Sequence, residues 1–210
     1  MSLHYRHANS RYSTLHLVFD IFQGIGVAAA VGIRPFLPTL AVGALAAGSV
    51  EIHFSHTDLS FLQGAPFLLA MALAAIGLGL LERNISRGQL EQGPLAIALA
   101  VIGMALGALL FGGSLARGHY AIWPGIIGGV GCALIGIAAT RPLLARVRGR
   151  LDSSAAGALP ALVEGTAVIL AALSVIAPPV GPVALALLLW LLLASRRREG
   201  QKYAGLRILR

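Results

Sequence analysis

Charge is scarce in this sequence: Asp, Glu, Lys and Arg make up only 11% of its 210 residues, against about 25% in a soluble globular domain. With 57% of its residues hydrophobic, a soluble chain of this size could not cover its own surface. Cysteine is nearly absent as well. Cys132 stands alone, which excludes an intrachain disulfide, and its setting in Gly131-Cys132-Ala133 is that of a small residue packed between helices. No glycine-rich phosphate cradle is present, and no polar stretch is long enough for a catalytic domain outside the apolar runs. Adenosine triphosphate-driven work by this chain alone is therefore not expected.

Long apolar runs dominate what is there. Segments 67–81, 94–115 and 158–177 contain no lysine or arginine, and they approach the roughly 20 residues needed to cross about 30 Å of hydrocarbon. Spans are expected at 17–33, 35–50, 59–81, 94–115, 119–139, 158–177 and 179–194. The fold class that follows is all-α, a polytopic membrane bundle of six or seven spans with short, proline-broken helices. Two segments, 35–50 and 179–194, are short for a full crossing. Either each pair flanking Arg34-Pro35 and Ala177-Pro178-Pro179 is two spans, or one member is re-entrant, because proline removes a donor and clashes with the preceding turn. The chain divides into an N-terminal polar segment 1–14, a transmembrane domain 15–194 and a basic tail 195–210. The first apolar stretch begins near Leu15 and further spans follow at once, so no cleavable signal peptide is expected.

The net charge of +8 is concentrated in connections and tail. Arg141, Arg146, Arg148 and Arg150 are read as one loop, and Arg196, Arg197, Arg198, Lys202, Arg207 and Arg210 as a tail segment. Both are expected on the cytoplasmic face of a bacterial inner membrane, placing the C-terminus inside, with anionic lipid as the partner of these charges and no role for nucleic acid. Trp123 and Tyr120, with Trp190 less clearly so, have the character of interfacial anchors.

Two halves of the chain share local features. Arg34-Pro35-Phe36-Leu37 resembles Arg141-Pro142-Leu143-Leu144, each after a glycine-rich stretch. Gln63-Gly64 and Glu164-Gly165 each lead into apolar sequence, with Asp58-Leu59-Ser60 and Asp152-Ser153-Ser154 as helix starts upstream. Segments 15–81 and 119–194, joined by 94–115, are thus candidate repeats. Such repeats, parallel or inverted, occur in secondary transporters, where broken helices mark the substrate site. Chance matching among abundant Gly, Ala and Leu is the competing explanation. Small residues also recur every fourth position at Gly24/Ala28/Gly32, Gly103/Gly107 and Gly125/Gly129, a pattern that permits tight helix contact within a bundle or a homo-oligomer.

A carboxylate in lipid is costly unless it pairs, binds a cation or takes up a proton. Asp20 and Glu164 are the two acids inside apolar stretches, and Arg34 and Arg141 are their candidate partners; these four residues form the expected substrate or ion pathway. Headgroup placement and simple structural ion pairs are the plainer alternative for the acids. His53, His56 and Asp58 are the only clustered metal-type ligands; their spacing matches no specific zinc signature, and a solvated, histidine-rich loop is the better reading. His4 and His7 carry no stronger signal. No catalytic residue and no cofactor are expected.

Gly32-Ile33-Arg34-Pro35-Phe36-Leu37-Pro38 in an early glycine-rich helix, the Leu80-Leu81-Glu82 ending of a later span, and the alanine- and glycine-rich body resemble a family of small bacterial integral membrane proteins known as domain of unknown function 4126. The family's acidic, lysine-bearing stretch is replaced here by Arg83-Asn84-Ile85-Ser86-Arg87. The resemblance implies membrane class and no catalytic residues. The leading functional expectation is a transporter or channel for an ion or small polar solute. The alternatives are a structural or regulatory membrane protein acting by self-association or through a partner, and, less favoured, a lipid-modifying enzyme using His53, His56 and Asp58.

Overall fold

Where no water is available, a backbone must satisfy its own N–H and C=O groups, and the apolar runs of this chain do so as helices. The computed structural model describes residues 2–48, 50, 57, 59–84, 93–151 and 153–206, with side chains described for those within 15–82, 93–151 and 157–196. It contains α1 (Ser2–Ile33), α2 (Phe36–Ala47), a 3-10 turn (Ser60–Gln63), α3 (Ala65–Asn84), α4 (Pro94–Arg117), α5 (Ile122–Arg148), α6 (Ser153–Ile176) and α7 (Val180–Leu206). There is no strand among the described residues. Five segments are long and apolar enough to cross a membrane: Leu15–Ile33, Ala65–Glu82, Pro94–Arg117, Ile122–Arg148 and Gly157–Ile176. Two apolar helical segments, Phe36–Ala47 and Val180–Arg196, are shorter. At 12 residues α2 rises only about 18 Å.

Helix α1 is the centre of the bundle and packs against α4, α5, α6 and α7. Its residues from Val27 to Val31 are wholly enclosed. Glycine makes this possible. A methyl group added to Gly32 would lie 2.2 Å from the Ala133 carbonyl oxygen of α5, and one on Gly129 would lie 2.4 Å from the Gly107 carbonyl of α4. Gly24 faces the Phe111 ring, Gly26 lies against Ser174 and Gly181, and Gly136 meets the Ala29 carbonyl. The small-residue faces read from the sequence are therefore filled by contacts within one chain, the van der Waals packing on which helix association in lipid depends. Contacts also fix direction: Gly24 meets Phe111 whereas Gly103 meets Val31, so α4 runs antiparallel to α1.

Helix α3 is peripheral, packing on α2 and the 3-10 turn. Its Leu69, Leu73, Ile76 and Leu80 face outward, as lipid-facing residues should. Gly43 near the end of α2 touches Leu68 near the start of α3, while Arg34 before α2 reaches Glu82 near the end of α3. The two helices are thus antiparallel.

Several boundaries differ from the sequence expectation. Leu59–Gly64 is a 3-10 turn rather than the beginning of a span; Leu62 is completely buried beneath α2, and the helix proper starts where Pro66 can occupy its first turn without losing a bond. Arg141-Pro142 is not a break: α5 runs through it to Arg148. One proline costs a helix about 3 kcal/mol, and contacts on either side hold the axis. Cys132, Ala133, Ile137 and Ala139 are buried before it, Arg141 donates to the Ala96 carbonyl of α4, and Arg146 donates to the Ser195 carbonyl of α7. Pro160 is likewise carried inside α6. The Arg-Pro pair therefore has different outcomes at its two occurrences. Helix α7 runs on into the basic tail as far as Leu206. At Ala177-Pro178-Pro179 the expected break is present, closed by Val180 N–H bonding the Ala177 carbonyl at 3.0 Å.

Candidate functional site

Proline at position 35 shapes the first site. It offers no N–H and disfavours helical backbone at the residue before it, so α1 closes with the Arg34 N–H on the Ala30 carbonyl at 3.1 Å and the chain turns directly into α2. Thr39 secures the corner by donating its hydroxyl to the Pro35 carbonyl at 2.6 Å. Arg34 is buried at this corner, and its guanidinium bonds the Glu82 carboxylate of α3 and lies 3.8 Å from the Glu164 carboxylate of α6. The first-turn N–H of Leu37, free of any partner within α2, bonds the same Glu164 carboxylate. Three helices and a helix start thus converge on one cluster.

That cluster forms part of the wall of a cavity of about 820 Å³, whose lining also includes Thr140, Arg141 and Arg148 of α5, Ala96, Leu99 and Ala100 of α4, and Gly157, Pro160 and Ala161 of α6. This is within the roughly 300 to 1,000 Å³ range of small-molecule sites. Glu164 sits well inside the apolar stretch Gly157–Ile176, about 10 Å along the helix from Gly157. The cavity therefore reaches from the arginine-rich end of the bundle deep into its apolar zone.

Asp20 occupies a different place. It is buried near the opposite end and pairs with Arg117, the last residue of α4. Arg117 also reaches the Gln23 side-chain oxygen at 3.4 Å, and Gln23 donates to the Val175 carbonyl of α6 at 3.3 Å. The turn after α4 is shaped around this group. His119 takes a left-handed backbone at φ 59°, a conformation that histidine tolerates better than most non-glycine residues. A methyl group on Gly118 would come within 2.5 Å of the Tyr120 ring and 2.8 Å of the Asp20 carboxylate, so a larger residue there would make those side chains shift.

Of the four residues expected on the pathway, Arg34, Arg141 and Glu164 line one cavity, while Asp20 lies apart and is paired with neither Arg34 nor Arg141. Its actual partner was hidden because Arg117 falls at the very end of a span, where a loop cation is the ordinary reading. Glu82 was also missed as a site residue: an acid ending an apolar run is normally at headgroup depth, and only the buried guanidinium opposite distinguishes it. His53, His56 and Asp58 lie outside the described residues. Among the described residues no cluster of three or more His, Cys, Asp or Glu could hold a metal ion. Cys132 is buried in a cluster with residues of α1, α4 and α7 and lines no part of the cavity. Trp123 and Trp190 are exposed, as anchors facing lipid would be.

A bundle of apolar helices around a buried central helix, with its charges paired inside, defines a multi-pass helical membrane protein. No family model, curated protein or solved structure matches the chain.

Proposed function

We propose that the protein is a transporter for an ion or small polar solute in the bacterial inner membrane. One observation carries this reading: a cavity whose mainly apolar wall includes Arg34, Glu82, Arg141 and Glu164 reaches in from one end of the bundle, while the other end holds the Asp20–Arg117–Gln23 group across α1, α4 and α6. A purely structural membrane protein has no need of such a cavity. The small-residue faces at Gly24/Ala28/Gly32, Gly103/Gly107 and Gly125/Gly129 pack within the chain, which supports their reading as bundle contacts.

The cavity end carries Arg34, Arg141, Arg146, Arg148, Arg150 and the start of the basic tail, against Arg117 and the Arg6 and Arg11 positions of α1 at the other. By the positive-inside tendency the cavity faces the cytoplasm. The resemblance to domain of unknown function 4126 proteins agrees with a bacterial membrane setting. Glu164 holds both Arg34 and the first turn of α2. A cation or proton bound to this carboxylate weakens both holds, and so links occupancy of the cavity to the position of the α1–α2 corner, as a carrier requires.

The test uses the purified chain in sealed lipid vesicles with an internal pH dye and an imposed potassium diffusion potential, alongside swelling measurements with small polar solutes. Wild type is expected to exceed empty vesicles in one of the two readings, and Glu164→Gln to abolish that excess while remaining folded and melting cooperatively. Equal flux in wild type and Glu164→Gln removes Glu164 from the pathway. Wild type indistinguishable from empty vesicles in both readings overturns transport.

A further inference from the structure

The charges along the cavity are sorted by depth. At its floor one guanidinium, Arg34, is shared between two carboxylates, Glu82 and Glu164, so acidic groups exceed basic ones by one. Nearer the opening the sign reverses. The Arg141 guanidinium donates to the Ala96 carbonyl at 2.7 Å and, among the described residues, pairs with no carboxylate; Arg148 lines the same wall. The two levels follow from the packing of α4 on α1. Gly103 lies against Val31, and Ala96 is seven residues from Gly103 toward the cavity end, a rise of about 10 Å; Arg34 is three residues beyond Val31, about 4.5 Å. A methyl group on Gly103 would also lie 4.0 Å from Pro35, so the Ala96 carbonyl that holds Arg141 lies toward the opening from the Arg34 corner. Leu78, Leu99, Ile137 and Leu144 supply apolar wall around this space.

A solute carrying one sign of charge satisfies only one of these levels, and a polar group left unmet in a site shielded from water is costly. We propose that the cavity binds a small zwitterion, an amino-carboxylate whose ammonium group meets Glu164 and Glu82 and whose carboxylate meets the planar donor fork of Arg141. The ammonium adds the positive charge that the floor lacks, and the carboxylate takes the place of the acid that Arg141 lacks. The inference deepens the transport reading by naming a substrate class, but its test reads binding alone.

Purified protein in lipid nanodiscs is titrated with unbranched ω-amino acids from glycine to 6-aminohexanoate, with butyrate and butylammonium as singly charged controls, following heat release and melting temperature. One member of the series is expected to bind and raise the melting temperature, with both controls much weaker. Arg141→Gln is expected to weaken that binding about tenfold or more, the loss of one charge-assisted hydrogen bond, with Arg141→Lys intermediate. Without ligand both variants are expected to stay folded with at most the loss of the bond to Ala96, and binding is read as heat release and as the shift from each variant's own ligand-free melting temperature. Binding by no member of the series overturns the proposal. So does butyrate binding as tightly as 4-aminobutyrate, which leaves an anion site only, or undiminished binding by Arg141→Gln. Zwitterion binding without vesicle uptake sinks the transport reading and leaves the site standing; Glu164-dependent proton flux without zwitterion binding does the reverse.

Discussion

Replacing Arg34 with glutamine removes the one cation that faces two buried carboxylates, and the structure sets the size of the penalty. At 3.8 Å and an effective dielectric of about 20, the Arg34–Glu164 attraction is about 4 kcal/mol before desolvation, and the closer Glu82 contact is worth at least as much. Much of that is offset by removing the charges from water. The better guide is the cost of stranding one partner of a buried pair, about 3 to 5 kcal/mol, here with two acids stranded together. The assay is unfolding of the purified protein in mixed micelles by increasing SDS, followed through the fluorescence of Trp123 and Trp190. Arg34→Gln is expected to lose about 3 to 5 kcal/mol, and the triple variant Arg34→Gln/Glu82→Gln/Glu164→Gln to recover more than half of it, because neutral amides no longer repel. A loss below about 1 kcal/mol, the value of a surface ion pair, would refute the reasoning. So would a triple variant no better than the single one.

At the other end the same logic predicts an asymmetry. Asp20 is far more enclosed than Arg117, with side-chain exposures of 5% and 28%, so Arg117→Gln, which strands the acid, should destabilise by about 3 to 5 kcal/mol. Asp20→Asn, which strands a guanidinium still in reach of Gln23 and water, should cost about 1 to 3 kcal/mol; equal losses in the SDS titration would contradict the burial difference. The glycines divide equally sharply. Gly32→Ala and Gly129→Ala push a methyl group into backbone of α5 and α4 respectively and should cost about 1 to 3 kcal/mol or more. Gly77→Ala and Gly131→Ala, with open space around them, should be neutral or gain up to about 1 kcal/mol from helix propensity. Thermal unfolding of the four variants side by side decides it.

The membrane bundle was legible because its signal is physical exclusion: charge-free runs of this length have no other stable setting. Helix ends were harder. Arg34-Pro35 and Arg141-Pro142 are alike in sequence, yet one turns the chain and the other is traversed by a helix. What decides between them is whether packing beyond the proline lies along the old axis, as α4 and α7 provide for α5, or off it, as α3 and α6 provide for α2. The cost of a lipid-buried acid called for a partner, a bound cation or a proton at Glu164 and Asp20, and each lies against an arginine. Only tertiary contact could say which, since Arg117 is 97 residues from Asp20. Glu82 escaped notice for a related reason: its depth is set by the corner it meets and not by its place in its own helix.

The central position of α1 has a consequence for biosynthesis. Chains emerge N-terminus first, so α1 enters the bilayer before the helices α4 to α7 that will surround it. Its two buried charges face unequal waits. Arg34 meets Glu82 after 48 further residues, while α3 is being made, so the first three helices can settle as a neutral unit around that pair. Asp20 has no partner until the last residue of α4 is synthesised. Until then the start of α1 must keep its acid in the headgroup region, and completion of α4 is the moment at which the axis of the bundle can sink to its final depth.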